Sequence, residues 1–260
     1  MVDSSTPIEV LLRRDRWLVG GALFAAVALC WAWVVPMALD MYGPMTGSSA
    51  WMMTGTWDFA HLALLFAMWA VMMAGMMLPS AAPTLLLYGC VARKSGEAVS
   101  ARARVNAFAI GYLLVWAGFG LAATVAQRLL SKWLLLSPMM EAQNRAFGAA
   151  LFIVAGLYQF TWFKRTCLES CRSPAAFIVR HWRPGTRGAL RLGVANGLFC
   201  LGCCWALMLL LFVGGVMNLW WIAAITVFVL LEKIAPYGAQ GGRLSGFLLC
   251  AAGIWALAAH

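Results

Sequence analysis

The sequence is poor in charged residues, which make up only 11 % of its 260 residues, where an ordinary soluble domain has about 25 %. Hydrophobic residues make up 63 %. A soluble globule cannot hide so much apolar surface, because even large domains bury only about 75 % of the surface that their unfolded chains expose. Aromatic residues are plentiful, with 14 Trp, 14 Phe and 5 Tyr, whereas disordered chains have few. The composition therefore excludes a soluble enzyme and a disordered chain, and it indicates an integral membrane protein.

Histidine is scarce as well, which limits the chemistry available. The chain has only His61, His181 and His260, and oxidative copper centres favour His ligands. A His-rich catalytic copper centre is therefore not available, which argues against a stand-alone copper oxidase. The sequence contains no GxxxxGKS or GxxxxGKT loop for ATP phosphates, and no catalytic constellation stands out. We expect a binding or handling protein rather than an enzyme, with any transport passive, proton-coupled or dependent on a partner.

The few charges fall in short clusters that cut the chain into apolar blocks. A spanning helix needs about 20 predominantly apolar residues, so the block 192–231 accommodates two, divided near Gly214 and Asn218, residue types that commonly end helices. The pattern predicts an all-α, polytopic transmembrane bundle, 1–260, with seven spans: about 18–39, 60–92, 106–127, 146–163, 193–217, 219–236 and 244–259. Six spans is the alternative, because the sixth contains Glu232 and Lys233 and the seventh is short.

The distribution of Lys and Arg predicts the orientation, because cytoplasmic segments carry an excess of them. With the N-terminus in the cytoplasm, 16 of the 19 Lys and Arg residues lie on the inside. The longest inside segment is predicted as a basic cytoplasmic loop, 164–191, interrupted at Pro174 and Pro184. The excess of Lys and Arg in the cytoplasmic segments then explains the net charge of +10. This charge does not indicate nucleic-acid binding, and we expect no nucleic-acid partner. A helical bundle also favours the bacterial inner membrane, since β-barrels dominate the outer one.

Methionine is concentrated in one part of the chain, with ten of the fifteen in residues 37–77. The second span carries five of them at spacings of four residues, which place side chains on shared helix faces: Met68, Met72, Met73, Met76 and Met77. Extended outward, the Met68 face reaches His61 and Asp58. This row of side chains along one face of the second span therefore predicts hard oxygen and nitrogen ligands at the membrane surface and soft sulfur ligands inside the membrane.

The fifth span supplies matching thiols in the stretch NGLFCLGCCWALM, 196–208. Cys200, Cys204 and Met208 step by four residues and share a face. Cys203 is adjacent to that face. At a rise of about 1.5 Å per residue, these thiols and Met68–Met72 lie near the same depth, close to the middle of an apolar core about 30 Å thick. We therefore predict that the two sulfur clusters meet in one metal site.

Sulfur ligands indicate the metal. Thioether and thiolate sulfur selects Cu(I) above all, with zinc as the alternative where thiolates dominate. Magnesium, calcium and manganese prefer oxygen ligands. The competing interpretation is that these Met and Cys residues only fill space, because both behave as buried hydrophobes.

A second thiol pair lies in KRTCLESCRSP, on the predicted inside. Cys167 and Cys171 share a helix face, and Cys90 at the inner end of the second span is expected nearby. The spacing predicts a secondary thiol site, and the alternative is a set of reduced thiols without a role.

The sixth span contains a charged pair. A carboxylate such as Glu232 is costly inside a membrane, so it is a candidate for proton coupling, with an ordinary interfacial ion pair as the alternative. Lys233 points to a different face and is expected to extend to the interface. Asn196 in the fifth span is assigned the same proton-coupling or structural role.

Four motifs resemble the bacterial family of "predicted metal-binding integral membrane proteins", a domain of unknown function: MWAVMMAGMMLPSAAP (68–83), YQFTWFKRTCLESCRSP (158–174), NGLFCLGCCWALMLLLFVGGVMNLWW (196–221) and LLEKIAPYG (230–238). The resemblance covers about residues 58–238 and implies metal binding in a multi-span bundle. Besides the Met, Cys and Glu candidates above and Asn196, it draws attention to Pro79, Gln159, Lys164, Met217 and Asn218.

Three functions compete. The first is a membrane protein for the transport or handling of copper, and the second is a copper delivery or assembly factor, or a subunit, for a membrane copper oxidase. The third is a structural membrane subunit without metal. The expected partners are the lipid bilayer, the metal ion, and other membrane proteins or a metallochaperone.

Overall fold

The apolar blocks of the sequence form helices. A computed structural model describes residues 7–43, 58–94, 98–137, 140–235 and 238–258. The helices are α1 (Pro7–Met41), α2 (Phe59–Lys94), α3 (Ala98–Lys132), α4 (Arg145–Gln159), α5 (Trp162–Arg172), α6 (Pro174–His181), α7 (Gly185–Leu209), α8 (Leu211–Gly214), α9 (Leu219–Ile234) and α10 (Gly238–Ala258). The predicted all-α class is confirmed. Three outer methionines of the Met-rich region, Met45, Met52 and Met53, lie outside the described residues.

Five stretches of helix within the described residues are long and apolar enough to cross a membrane: Trp17–Met41, Phe59–Arg93, Ala101–Lys132, Gly185–Gly214 and Gln240–Ala258. A sixth is counted if α4 and α5, which meet at an angle of 65°, are taken as one broken span. The fourth predicted span, 146–163, therefore runs into a sharp bend. Helix α9 has 16 residues, fewer than the roughly 20 that usually cross the apolar core.

The segment 164–191 is helical. Helix α5 ends at Arg172, α6 occupies Pro174–His181, and α7 begins at Gly185, directly after Pro184. Lys164, Cys167 and Leu168 of α5 are buried, so this helix packs into the bundle. Its main neighbour is α7, while α6 packs on α2.

Capping residues explain where the chain bends. Thr161 begins α5, and its hydroxyl accepts a hydrogen bond from the Lys164 backbone amide at 3.3 Å. Asn218 begins α9 by accepting bonds from the amides of Trp220 and Trp221. Such caps satisfy amides that the first turn of a helix leaves without partners. Gly215, between α8 and α9, has φ +91°, a conformation that favours glycine.

Helices α3 and α7 form the most extensive helix pair. Gly193 of α7 lies directly against the Phe108 carbonyl of α3, where a Cβ atom would overlap the backbone. Small residues of this kind allow two helix backbones to approach closely. The close approach brings Tyr112 of α3 against Cys200 of α7, which positions the site described next.

Candidate metal site

The thiols of α7 lie in the core of the bundle. Cys200, Cys203 and Cys204 are only 1–2 % exposed. The Cys203 and Cys204 sulfurs both donate to the Cys200 carbonyl, each at 3.0 Å. These bonds hold the two side chains on the same side of α7, next to the Cys200 sulfur.

Helix α5 adds thiols to this cluster. The bend at Phe160 turns α5 against α7, and the Cys203 sulfur interacts with those of Cys171, Cys200 and Cys204. Cys167 packs against Gly202, where a Cβ atom would lie 2.7 Å from the Cys167 sulfur. The structure therefore joins the secondary pair to the α7 thiols, and we call Cys171, Cys200, Cys203 and Cys204 the thiol cluster.

The Cys200 sulfur also contacts polar groups from three other helices. The Lys233 ammonium of α9 donates to it at 2.9 Å, and to the Ser80 hydroxyl of α2 at 2.9 Å. The Tyr112 hydroxyl of α3 lies 3.0 Å from the same sulfur and donates to the Met77 carbonyl at 3.0 Å. Lys233 is only 8 % exposed. The expectation that it extends to the interface is wrong, because Cys200 and Ser80 offer it partners inside the bundle.

A buried ion pair lies beside the thiol cluster. The Lys164 ammonium bonds both carboxylate oxygens of Glu232 at 2.8 Å, and it also donates to the Gln159 amide oxygen. Arg172 donates to the Glu232 carbonyl at 3.0 Å. Glu232 and Lys233 are adjacent on α9 but bind different helices. Glu232 binds α5, and Lys233 binds α7 and α2.

The candidate metal ligands at this site are soft sulfur atoms, but they do not surround a single point as the ligands of a closed metal site do. All eight cysteines are free thiols. Among the described residues, no group of three or more His, Cys, Asp or Glu side chains is placed to hold one metal ion. A metal at the thiol cluster therefore needs fewer such ligands, thioether sulfur in addition, or a rotation of the cysteine side chains.

The methionines of α2 are all buried, with exposed fractions of 0–2 %: Met68, Met72, Met73, Met76 and Met77. Met72 and Met76 line a narrow gap with Cys30 and Trp31 of α1 and Ile222 of α9. The Cys200 sulfur instead faces α3 and the Lys233 end of α9. A site shared by Met72 and Cys200 stays a prediction. Met208 and Met217 are also fully buried.

The outer part of the predicted row of side chains lies at the start of α2. The Asp58 carboxylate accepts a hydrogen bond from the His61 backbone amide at 2.8 Å, the geometry of an N-cap. The His61 side chain is 1 % exposed, so it lies inside the bundle rather than at its surface. This arrangement gives Asp58 a structural role that its sequence position alone does not reveal.

The remaining candidates are spread over the bundle. Cys90 lines a groove with Trp17 and Gly21 of α1, so its neighbours are on α1 rather than on α5. Asn196 is buried one turn before Cys200 on α7.

Sequence reasoning missed Ser80 and Tyr112. Ser80 lies in the LPSAAP stretch of α2, where Pro79 and Pro83 interrupt regular helical hydrogen bonding. Tyr112 is one of two hydroxyl side chains, with Thr124, in the mostly apolar span 106–127. A hydroxyl within an apolar helix indicates a buried polar partner, and this signal was present in the sequence.

Together, fold and site define a class: an all-helical protein with buried Cys and Met sulfur atoms and paired charges inside an apolar bundle. A family model described as PpoB2, copper chaperone, matches residues 66–256. The chain therefore belongs to this copper chaperone family, which agrees with the copper expected from its sulfur ligands. No curated protein and no solved structure shows significant similarity to it.

Proposed function

We propose that this chain is a membrane-embedded copper chaperone that binds Cu(I) at the thiol cluster and passes it to another protein. The observation that carries the proposal is the packing of α5 against α7, where Cys167 lies directly against Gly202 and the next turn of α5 brings Cys171 towards Cys203. Thiolate sulfur selects Cu(I), and the family is one of copper chaperones. An open set of thiols, without a closed cage, suits a protein that must release its metal as well as bind it.

The charges around the thiol cluster support binding of a thiolate-bound cation. Lys164 and Glu232 neutralise each other, which leaves the Lys233 ammonium as an additional buried positive charge next to Cys200. A positive charge close to sulfur stabilises a thiolate ligand in an apolar medium. We assign Lys233 this supporting role, and we assign Glu232 and Asn196 structural roles next to it.

We also propose a membrane location and an orientation for the protein. The five apolar helices, the bent pair of α4 and α5 and the short α9 would form the seven spans, in the bacterial inner membrane. The N-terminus would lie in the cytoplasm, because that orientation places 16 of the 19 Lys and Arg residues inside. The expected protein partners are a metallochaperone that supplies copper and a membrane protein that receives it.

The methionines of α2 remain candidates for a transient copper path. Met68, Met72 and Met76 follow one face of the helix, starting near His61 and Asp58. Thioether sulfur binds Cu(I) without a negative charge, so such a path would hold copper more weakly than the thiol cluster. Transport of copper along this path is the second candidate function.

Copper content tests the binding proposal. Protein purified from copper-replete cells should carry about one Cu(I) per chain, and Cys171→Ser/Cys203→Ser should lose most of it. Cys250→Ser is the matched control, because Cys250 packs against Gly156 of α4, and it should keep its copper. Zinc in place of copper would point to the alternative metal. Neither metal in the wild type would overturn both candidate functions.

Transfer and flux distinguish delivery from transport. Copper-loaded protein in liposomes should give up its copper to an added apo acceptor with exposed thiols, and liposomes without an acceptor should show no copper flux above empty ones. Flux that Met72→Leu/Met76→Leu abolishes would instead favour transport. These methionines can be changed with little loss of volume, since Met and Leu are similar in size.

A further inference from the structure

An apolar groove runs along the bundle between α1, α2 and α3. It has a volume of about 380 Å³. Most of its lining is aliphatic, with Leu18, Ala22 and Ala26 on α1, Leu78 and Leu85 on α2, and further small residues on α3. The groove is half open to the surroundings, because α1 packs mainly on α2.

One end of this groove is positively charged. Arg93 at the end of α2 and Arg102 near the start of α3 both line it, and Asn106 lies one turn further along α3. A guanidinium has five N–H donors, so each arginine can bond a phosphate in addition to its other contacts. A pair of guanidinium groups matches the charge and geometry of a phosphate group.

The length of the groove fits one leaflet of a bilayer. From Leu78 to Arg93 the helix rises about 22 Å at 1.5 Å per residue. A bilayer is about 40–45 Å thick including its headgroup regions, so one leaflet with its phosphates contributes about 20–22 Å. A fatty acyl chain with its phosphate at Arg93 and Arg102 would therefore reach the Leu78 end.

We propose that this groove is a specific site for an anionic glycerophospholipid. Its phosphate binds Arg93 and Arg102, and an acyl chain lies against Ala22 and Ala26 of α1. The bound lipid completes the contact between α1 and the rest of the bundle. The site is separate from the thiol cluster, since no cysteine is among the described residues of its lining.

A second groove on the other side of α1 provides an internal comparison. It is lined by Trp17, Gly20, Gly21, Phe24, Pro83, Leu86, Leu87 and Cys90. Among the described residues, this lining contains apolar side chains but no charged one. Both grooves can hold acyl chains, and of their described lining residues Arg93 and Arg102 are the ones that can bind a phosphate. If the protein prefers lipids with negatively charged headgroups, the lipid is therefore bound in the first groove.

Native mass spectrometry of the purified full chain tests the proposal. The wild type should retain about one phospholipid, and it should bind added phosphatidylglycerol more tightly than phosphatidylcholine. Arg93→Gln/Arg102→Gln should weaken phosphatidylglycerol binding roughly tenfold or more, because each basic residue near a membrane surface contributes appreciably to anionic lipid binding. Arg187→Gln/Arg191→Gln removes the same charge from the exposed start of α7 and should leave binding unchanged.

A space-filling variant tests the acyl half of the site. Ala22→Phe should reduce lipid retention although both arginines remain, whereas Ala28→Phe, at an exposed α1 position that lines neither groove, should not. Equal retention by the wild type and Arg93→Gln/Arg102→Gln would overturn the proposal. Displacement of the lipid by excess inorganic phosphate would also overturn it, because the ligand would then be a free anion.

Discussion

The Lys233 ammonium lies 2.9 Å from the Cys200 sulfur, although both side chains are buried in the bundle. Lysine is rarely buried without a partner, because desolvating its charge is costly. Here the cost is offset by Cys200 and by the Ser80 hydroxyl, each 2.9 Å from the ammonium. The site therefore combines sulfur ligands with a fixed positive charge.

Replacing Lys233 should weaken copper binding without unfolding the protein. Lys233→Met keeps the length of the side chain but removes the charge that supports a Cys200 thiolate. Loss of such a supporting group typically costs about 10–100-fold in metal affinity, and we expect a loss in this range. Competition with a chromogenic Cu(I) chelator measures it, and Lys233→Arg should recover part of the affinity. An unchanged affinity in Lys233→Met would show that the charge plays no part in binding.

Breaking the ion pair between Lys164 and Glu232 should destabilise the fold. Both side chains are buried, so Glu232→Gln or Lys164→Met leaves one charge without its partner, at a cost of about 3–5 kcal/mol. Thermal unfolding in detergent measures the loss. The double variant should be more stable than the sum of the single effects predicts, because it leaves no lone charge. Additive effects would mean that the two groups do not interact.

Separating α5 from α7 should disrupt the thiol cluster. In Gly202→Ala, the new methyl group would lie 2.7 Å from the Cys167 sulfur and 3.3 Å from the Phe163 ring, so these side chains, and α5 with them, must shift away from α7. We expect reduced copper content and faster alkylation of Cys171. Gly118→Ala is the matched control, because no atom lies within 4 Å of its Cβ position, and it should behave like the wild type. Normal copper content in Gly202→Ala would contradict a site shared by the two helices.

Local sequence patterns predicted most helices but not their mutual rotation. Apolar blocks indicated the long helices, and Gly214 and Asn218 indicated the break before α9. The steps of four from Met68 to Met76 correctly define one face of α2. Which neighbour that face meets depends on packing, and the structure places Met72 and Met76 against Cys30 and Trp31 of α1.

The thiol cluster combines cysteines of α5 and α7 because the chain bends sharply between α4 and α5. A continuous span over 146–163 would carry Cys167 and Cys171 beyond the membrane, away from Cys203. The 65° angle between α4 and α5, with Thr161 as the cap of α5, turns them back towards α7. A single Thr in an apolar sequence is a weak signal, so this meeting of two thiol motifs was accessible only from the structure.

The partners of the buried charges were also beyond the sequence. Glu232 and Lys233 are adjacent, so a local interpretation pairs them with each other or with the interface. Their side chains instead point to different helices, and each finds a partner more than 30 residues away, Lys164 and Cys200 respectively. Contacts between such distant residues are set by the packing of helices, which periodicity does not specify.

X-ray absorption at the copper edge tests the central claim most directly, because it reports both the oxidation state and the ligand atoms. Copper-loaded wild-type protein should show Cu(I) with a first shell of sulfur only. In Cys171→Ser/Cys203→Ser, the residual copper should lose this sulfur shell, while Cys250→Ser keeps it. A shell dominated by nitrogen or oxygen, or an identical sulfur shell in Cys171→Ser/Cys203→Ser, would contradict copper binding at the thiols of α5 and α7.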